Sequence, residues 1–138
     1  MNNEEEILQV ECILLTAREF PEIAPTITEN YNNIGAGVDK GRAATMVGRE
    51  ISKGLKPGEP DWTIYYKKRA FCIEFKTEKG TLSKNQKAYI PHLLKQDIPV
   101  FLCRNKEEFR YILSIIETIK DEGIKELIEA NVKFLIKL

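Results

Sequence analysis

Cysteine and histidine, the residues that most often build zinc sites and redox centres, are scarce in this chain. Its 138 residues include three cysteines and a single histidine. The cysteines, Cys12, Cys72 and Cys103, are odd in number and lack C-x-x-C spacing, which argues against a disulfide framework and against a zinc site. We expect three reduced thiols that pack as small apolar residues in a reducing cytoplasm.

Long apolar runs are also missing. No run approaches the roughly 20 residues that span a bilayer, so we expect no membrane partner. Met1 leads into three glutamates at 4–6 rather than into a basic and then apolar segment, and no signal peptide is visible. These features predict a cytoplasmic protein.

The chain has no net charge, but its charges are unevenly distributed. Residues 1–39 carry eight acidic side chains and one basic side chain, whereas residues 40–87 carry twelve basic and five acidic ones. Residues 88–138 carry eight of each sign. The basic segment is where nucleic-acid phosphates would dock, although a solvated surface explains the same charges equally well.

Two neighbouring strands are predicted in the middle of the basic segment. Residues 61–66 are aromatic and β-branched, residues 67–69 form a polar turn, and residues 70–77 read as a second strand. Ser83, followed three residues later by Gln86, forms a capping box that predicts the start of a helix.

These strands bring chemically useful side chains together. Because strand side chains alternate, Cys72, Glu74 and Lys76 share one face of the second strand, and Asp61 heads the first. Two carboxylates can hold a hard divalent cation, and a lysine beside them can orient a water molecule. The combination indicates metal-assisted phosphodiester hydrolysis.

The remaining pattern predicts an α/β fold, formed by one domain over residues 1–138. Apolar spacing predicts a helix over Glu4–Glu19, whose core stripe would be Ile7, Val10, Leu14 and Ala17. The other predicted elements are a short strand near 26–31, a helix over 39–52, a buried strand over 98–103, a helix over 107–119, a short helix over 121–130 and an amphipathic strand over 132–138.

Three blocks in this order resemble the PD-(D/E)XK nuclease superfamily, and more narrowly its VRR-NUC family. The blocks are Gly58-Glu59-Pro60-Asp61, Glu74-Phe75-Lys76 and Gly80-Thr81-Leu82-Ser83-Lys84-Asn85-Gln86, and the resemblance continues through Ile98–Arg104. A bare Asp…Glu-x-Lys pattern occurs by chance in many hairpins, whereas all three blocks together are far more specific. The resemblance implies a central mixed β-sheet with helices on both sides and a divalent-metal-dependent DNA endonuclease.

The resemblance also implies a metal site. Asp61, Glu74 and the backbone carbonyl of Phe75 would bind Mg²⁺ or Mn²⁺, joined by a glutamate of the first helix. In the family this glutamate precedes a glutamine by four residues, and Glu5 with Gln9 fits that spacing. Two alternatives stay open: Glu6, which is one residue out of register, and Glu11, which lies on the predicted apolar stripe and would point inward.

Further roles follow for neighbouring residues. Lys76 would orient the hydrolytic water and stabilise charge on the phosphate, and Gln86 would face the metal site from the start of its helix. The capping box is a complete structural explanation of Gln86, and the two roles are compatible. Four basic residues are the expected DNA contacts: Lys79, Lys84, Lys87 and Arg104.

Small relatives act as homodimers on branched DNA such as four-way junctions, so the resemblance implies a homodimer that takes part in DNA repair. The alternation of Val132, Phe134, Ile136 and Leu138 offers a strand that pairs across a two-fold axis, or one that is buried in its own subunit. Other functions remain open: a flap-type nuclease, a catalytically silent nucleic-acid-binding module, or a subunit of a repair complex.

Overall fold

The computed structural model describes residues 3–30, 57–130 and 136. Its helices are α1 (Asn3–Glu19), α2 (Lys84–Leu94), α3 (Lys106–Thr118) and α4 (Ile124–Glu129), and its strands are β1 (Ile27–Glu29), β2 (Trp62–Tyr66), β3 (Arg69–Phe75) and β4 (Val100–Cys103). The helix predicted over 39–52, and positions 132–135, 137 and 138 of the predicted terminal strand, lie outside these residues. That residues 1–138 form one domain stays a prediction.

The four strands form one sheet in the order β1-β2-β3-β4. The first two pairings are antiparallel and the β3–β4 pairing is parallel. β2 and β3 are joined by a tight turn in which Lys67 and Lys68 have φ of 50° and 65°. Two successive residues with positive φ suit the right-handed twist of a hairpin. The predicted mixed α/β sheet is confirmed.

Helices cover both faces of the sheet. On one face, Trp62, Phe71 and Phe101 of the strands pack in a core with residues of α1 and α3. On the other face, Cys72 and Val100 pack against Ile90 and Leu94 of α2. Because β3 alternates, Glu74 lies on the α2 face together with Cys72. Within the described ranges, no helix has both the length and the apolar character needed to cross a membrane.

The predicted core stripe of α1 is wrong. Ile7, Val10 and Leu14 are exposed, and the helix instead buries a set offset by one or two positions, consisting of Gln9, Cys12, Leu15 and Thr16. Apolar residues occur on every side of this helix, so spacing alone does not identify its buried face. The Thr16 hydroxyl is satisfied in the core because it donates to the Cys12 carbonyl at 2.7 Å.

Ile136 is part of the chain's own core. Its backbone N–H donates to the Val100 carbonyl at 2.9 Å, and its side chain is buried near Ile90 and Leu94. The terminal segment was expected either to pair across a two-fold axis or to be buried in its own subunit. At Ile136 the structure shows burial within the subunit.

Candidate metal centre

A short loop carries Asp61 to the start of β2. Gly58 in this loop has φ of 89°, and a Cβ placed on it would lie 2.3 Å from the Asn85 carbonyl oxygen in the first turn of α2. Only glycine allows the backbone to come so close in that conformation. The loop is thereby packed against the helix that carries Gln86.

Asp61 and Glu74 hold each other through the backbone. The Phe75 N–H donates to Asp61 Oδ2 at 2.8 Å, and the Asp61 N–H donates to Glu74 Oε1 at 3.2 Å. Each carboxylate therefore accepts from a residue at or beside the other. The predicted convergence of the two acids from adjacent strands is present in the structure.

Aromatic packing on the opposite face fixes the backbone of both acids. Trp62 follows Asp61, Phe75 follows Glu74, and their ring centroids lie 4.6 Å apart in an edge-to-face arrangement. Phe109 of α3 completes the group, 5.8 Å from Trp62. All three side chains are buried, so the strand positions next to the acids are set by core packing.

Lys76 and Gln86 meet at Glu74. Gln86 Nε2 donates to Glu74 Oε2 at 2.6 Å, and Lys76 Nζ lies 3.4 Å from the same oxygen. Gln86 Oε1 also accepts from the Ser83 N–H at 2.8 Å, which completes the capping box of α2. Gln86 thus caps its helix and contacts the carboxylate at once; its catalytic role stays a prediction.

Glu74 is costly to ionise in this setting. Its side chain is 3% exposed. Burial, followed by the charge of Asp61, raises its pKa to about 8, although Lys76 and Gln86 act in the opposite direction. A buried and a half-buried carboxylate that repel each other form a site whose charge a divalent cation would balance.

Asn30, at the end of β1, supports the Asp61 segment and was not singled out from sequence. Its side-chain amide donates to the Pro60 carbonyl at 2.8 Å and to Thr63 Oγ1 at 3.1 Å, and its N–H donates to the Asp61 carbonyl at 2.8 Å. These partners are about thirty positions away in the chain, so no local pattern could have identified Asn30.

The predicted DNA contacts divide into two groups. Lys79, Lys84 and Lys87 are exposed, in the loop before α2 and on its first turn. Arg104 is partly buried, and its guanidinium donates to the carbonyls of Thr77, Glu78 and Gly80. Arg104 thus holds the loop that carries Lys79. For all four residues, contact with DNA stays a prediction.

The three candidate N-terminal glutamates differ in burial. Glu5 is half-buried in the first turn of α1, whereas Glu6 is exposed. Glu11 does not point inward: it is exposed, and its Oε2 lies 3.8 Å from Lys106 Nζ. α1 packs on the sheet face opposite Glu74, so Glu5 would have to reach the acids around the end of the sheet.

The structure therefore brings Asp61, Glu74, Lys76 and Gln86 together. Within residues 3–30, 57–130 and 136, no three His, Cys, Asp or Glu side chains form a group that could hold a metal ion. The carboxylates of Asp61 and Glu74 are the acidic pair of the centre, and Glu5 as a third acid stays a prediction.

Comparisons with known proteins agree with the geometry. The model of the VRR-NUC domain family matches residues 4–107. A solved structure titled "VRR_NUC domain protein" is similar in fold, with a TM-score of 0.59 at 16% identity, over 85% of this chain and 88% of that chain. No curated protein matches the chain.

Proposed function

The chain belongs to the VRR-NUC family of nuclease-type domains, and on that premise we propose that it is a divalent-metal-dependent DNA endonuclease. The observation that carries the proposal is the pairing of Asp61 with Glu74. The Glu74 carboxylate accepts from the Asp61 N–H, and the Asp61 carboxylate accepts from the N–H of Phe75, the residue after Glu74. Lys76 and Gln86 on the same Glu74 oxygen complete the arrangement.

The residues present fit a hard cation. Carboxylate and carbonyl oxygens are the ligands that Mg²⁺ and Mn²⁺ prefer. Burial, and then the charge of Asp61, raise the pKa of Glu74 to about 8, and a bound cation would oppose that rise. Asp61 and Glu74 would hold the ion, with the Phe75 carbonyl and Glu5 as the proposed further ligands. When bound, such an ion stabilises negative charge on the phosphate and favours ionisation of a nearby water.

The chain's own side chains would position the reactants. Lys76 is 14% exposed and is held beside Glu74, so its ammonium would orient a water molecule and stabilise the charge that develops on the phosphate oxygens. Gln86 would keep Glu74 in place through the 2.6 Å hydrogen bond. The exposed Lys79, Lys84 and Lys87 would bind flanking phosphates.

We further propose branched DNA such as a four-way junction as the substrate, a homodimer as the active form and a role in cytoplasmic DNA repair. The described part of one chain presents one such acidic pair, whereas symmetric cutting of two strands needs two pairs related by a two-fold axis. Light scattering at micromolar concentration should then report about twice the chain mass of 15.9 kDa. A monomer that cuts a flap but leaves junctions intact would replace the junction proposal with a flap-type nuclease.

The direct test is incubation with labelled duplex, flap and four-way-junction DNA, with and without Mn²⁺. We expect cleavage that requires the cation and is fastest on branched DNA. Binding without cleavage on every substrate would instead identify a silent nucleic-acid-binding module. A protein that binds neither DNA nor metal would favour a subunit that acts only within a larger complex.

A further inference from the structure

A cavity of about 300 Å³ lies beside the metal centre, on the same face of the sheet. Its floor is formed by β2 and β3, and Ala70 there pairs with Tyr65. Tyr89 and Leu93 of α2 form a wall. Because the Ala70 side chain is small, it leaves space in the cavity that a larger side chain at this position would fill.

The cavity is continuous with the acidic pair along both strands. Thr63 in its lining is two residues beyond Asp61, and Cys72, which pairs with Thr63, is two residues before Glu74. Two residues of a strand span about 7 Å. The cavity therefore begins about one nucleotide away from a phosphate bound at the acids.

The lining excludes a phosphate and suits a base. Glu59 is the charged side chain among the described lining residues, and these residues include no lysine or arginine that would hold a phosphate. Glu59 and Tyr89 both line the cavity, and burial, followed by the charge of Glu59, raises the pKa of Tyr89. Two tyrosines line the cavity, Tyr89 and Tyr65, and the second is 54% exposed. Their rings offer faces on which a planar group stacks.

Two side chains of the cavity, Asn30 and Glu59, present oxygens that accept hydrogen bonds. The side-chain N–H groups of Asn30 donate to the Pro60 carbonyl and to Thr63 Oγ1, so its Oδ1 atom is the part of the amide suited to accept a hydrogen bond from a ligand. Glu59 contributes carboxylate oxygens. A ligand that matches these groups presents N–H donors, as the exocyclic amino groups of adenine, cytosine and guanine do.

We propose that this cavity binds one unpaired nucleobase, preferably one with an exocyclic amino group, from the nucleotide next to the scissile phosphate. The inference rests on the proposed nuclease function and deepens it. A base in a paired duplex must first be unstacked to enter, whereas a base at a junction, flap or single-stranded end costs less to insert. The cavity would thus select branched or frayed DNA.

The experiment measures binding separately from cleavage. Fluorescence anisotropy with a chelator present gives the affinity of the protein for overhang DNA in which one abasic residue is moved along the strand. Wild-type protein should lose about tenfold in affinity at one position and little elsewhere. Tyr65→Ala and Ala70→Leu should abolish this positional contrast, whereas the matched exposed controls Tyr111→Ala and Ala88→Leu should keep it.

The base preference gives a second measurement. At the sensitive position, adenine or cytosine should bind more tightly than thymine, and Glu59→Gln should reduce that preference while Glu78→Gln leaves it unchanged. Equal affinity at all abasic positions would overturn the proposal even if Mn²⁺-dependent cleavage were normal. A clear positional contrast without cleavage would keep the cavity as a base site and overturn the nuclease function.

Discussion

Replacing Glu74 with glutamine should make the metal-free protein more stable at alkaline pH. The folded protein raises the pKa of Glu74 from an ordinary 4.5 to about 8, chiefly through burial. Between these two values the unfolded chain releases the proton and the folded chain retains it. The contribution of Glu74 to stability is therefore complete below pH 4.5 and is lost as the pH rises to 8.

The size of the effect follows from the two pKa values. Each unit corresponds to about 1.4 kcal/mol, so wild-type protein should lose about 3 kcal/mol between pH 5 and pH 8 relative to Glu74→Gln. The amide of the variant has one acceptor oxygen where the carboxylate has two, so either the Gln86 side chain or the Asp61 N–H loses its acceptor. Lys76 also loses its ion pair, and together these losses cost about 1 kcal/mol. The variant should be about 1 kcal/mol less stable than wild type at pH 5 and about 2 kcal/mol more stable at pH 8, which is roughly 8 °C in Tm.

Urea unfolding with a chelator at pH 5, 6, 7 and 8 measures the difference. Glu117→Gln, at an exposed position on α3, is the matched control and should follow wild type at every pH. Added Mn²⁺ should stabilise wild type and not the Glu74 variant, which reverses their order at pH 8. A difference that does not change with pH, or a variant less stable than wild type at pH 8, would refute the reasoning.

Three further substitutions test other contacts. Lys76→Ala should lower the cleavage rate about a hundredfold and leave DNA affinity in a gel shift nearly unchanged; normal cleavage with weak binding would make Lys76 a phosphate contact. Arg104→Ala should lower the free energy of unfolding by about 2 kcal/mol, because it frees three carbonyls of the 77–80 loop. The exposed Arg110→Ala should cost less than about 1 kcal/mol, and equal losses would contradict the role of Arg104. Gly58→Ala should lower both Tm and cleavage, whereas Gly123→Ala, whose Cβ would lie 3.6 Å from Ile119 Cγ1, should be tolerated; a Gly58 variant as stable as wild type would contradict the tight loop.

Local patterns in the sequence predicted the acidic pair well. Alternation along β3 placed Glu74 and Lys76 on one face, and the aromatic residues of β2 identified the neighbouring strand that Asp61 precedes. Helix signals were equally local: the predicted Ser83–Gln86 capping box occurs in the structure. Each of these features depends on residues that are close together in the chain.

Features that depend on tertiary packing were not predictable in the same way. Apolar residues occur on every side of α1, so its buried face is decided by the sheet and α3 rather than by its own spacing. Asn30 and Arg104 act on backbone groups at least 24 positions away. A polar side chain that satisfies a distant loop leaves no periodic signal in the sequence.

The Mn²⁺ dependence of DNA cleavage in matched aspartate variants tests the central claim most directly. Asp61→Asn removes one acid of the pair, whereas Asp97→Asn changes an exposed aspartate with φ of 59°, a conformation that asparagine tolerates. With labelled junction DNA, wild type and the Asp97 variant should cut at the same rate and with the same Mn²⁺ requirement, and the Asp61 variant should not cut. Cleavage by the Asp61 variant at the wild-type rate, or cleavage by wild type in the presence of chelator, would contradict a metal centre built on Asp61 and Glu74.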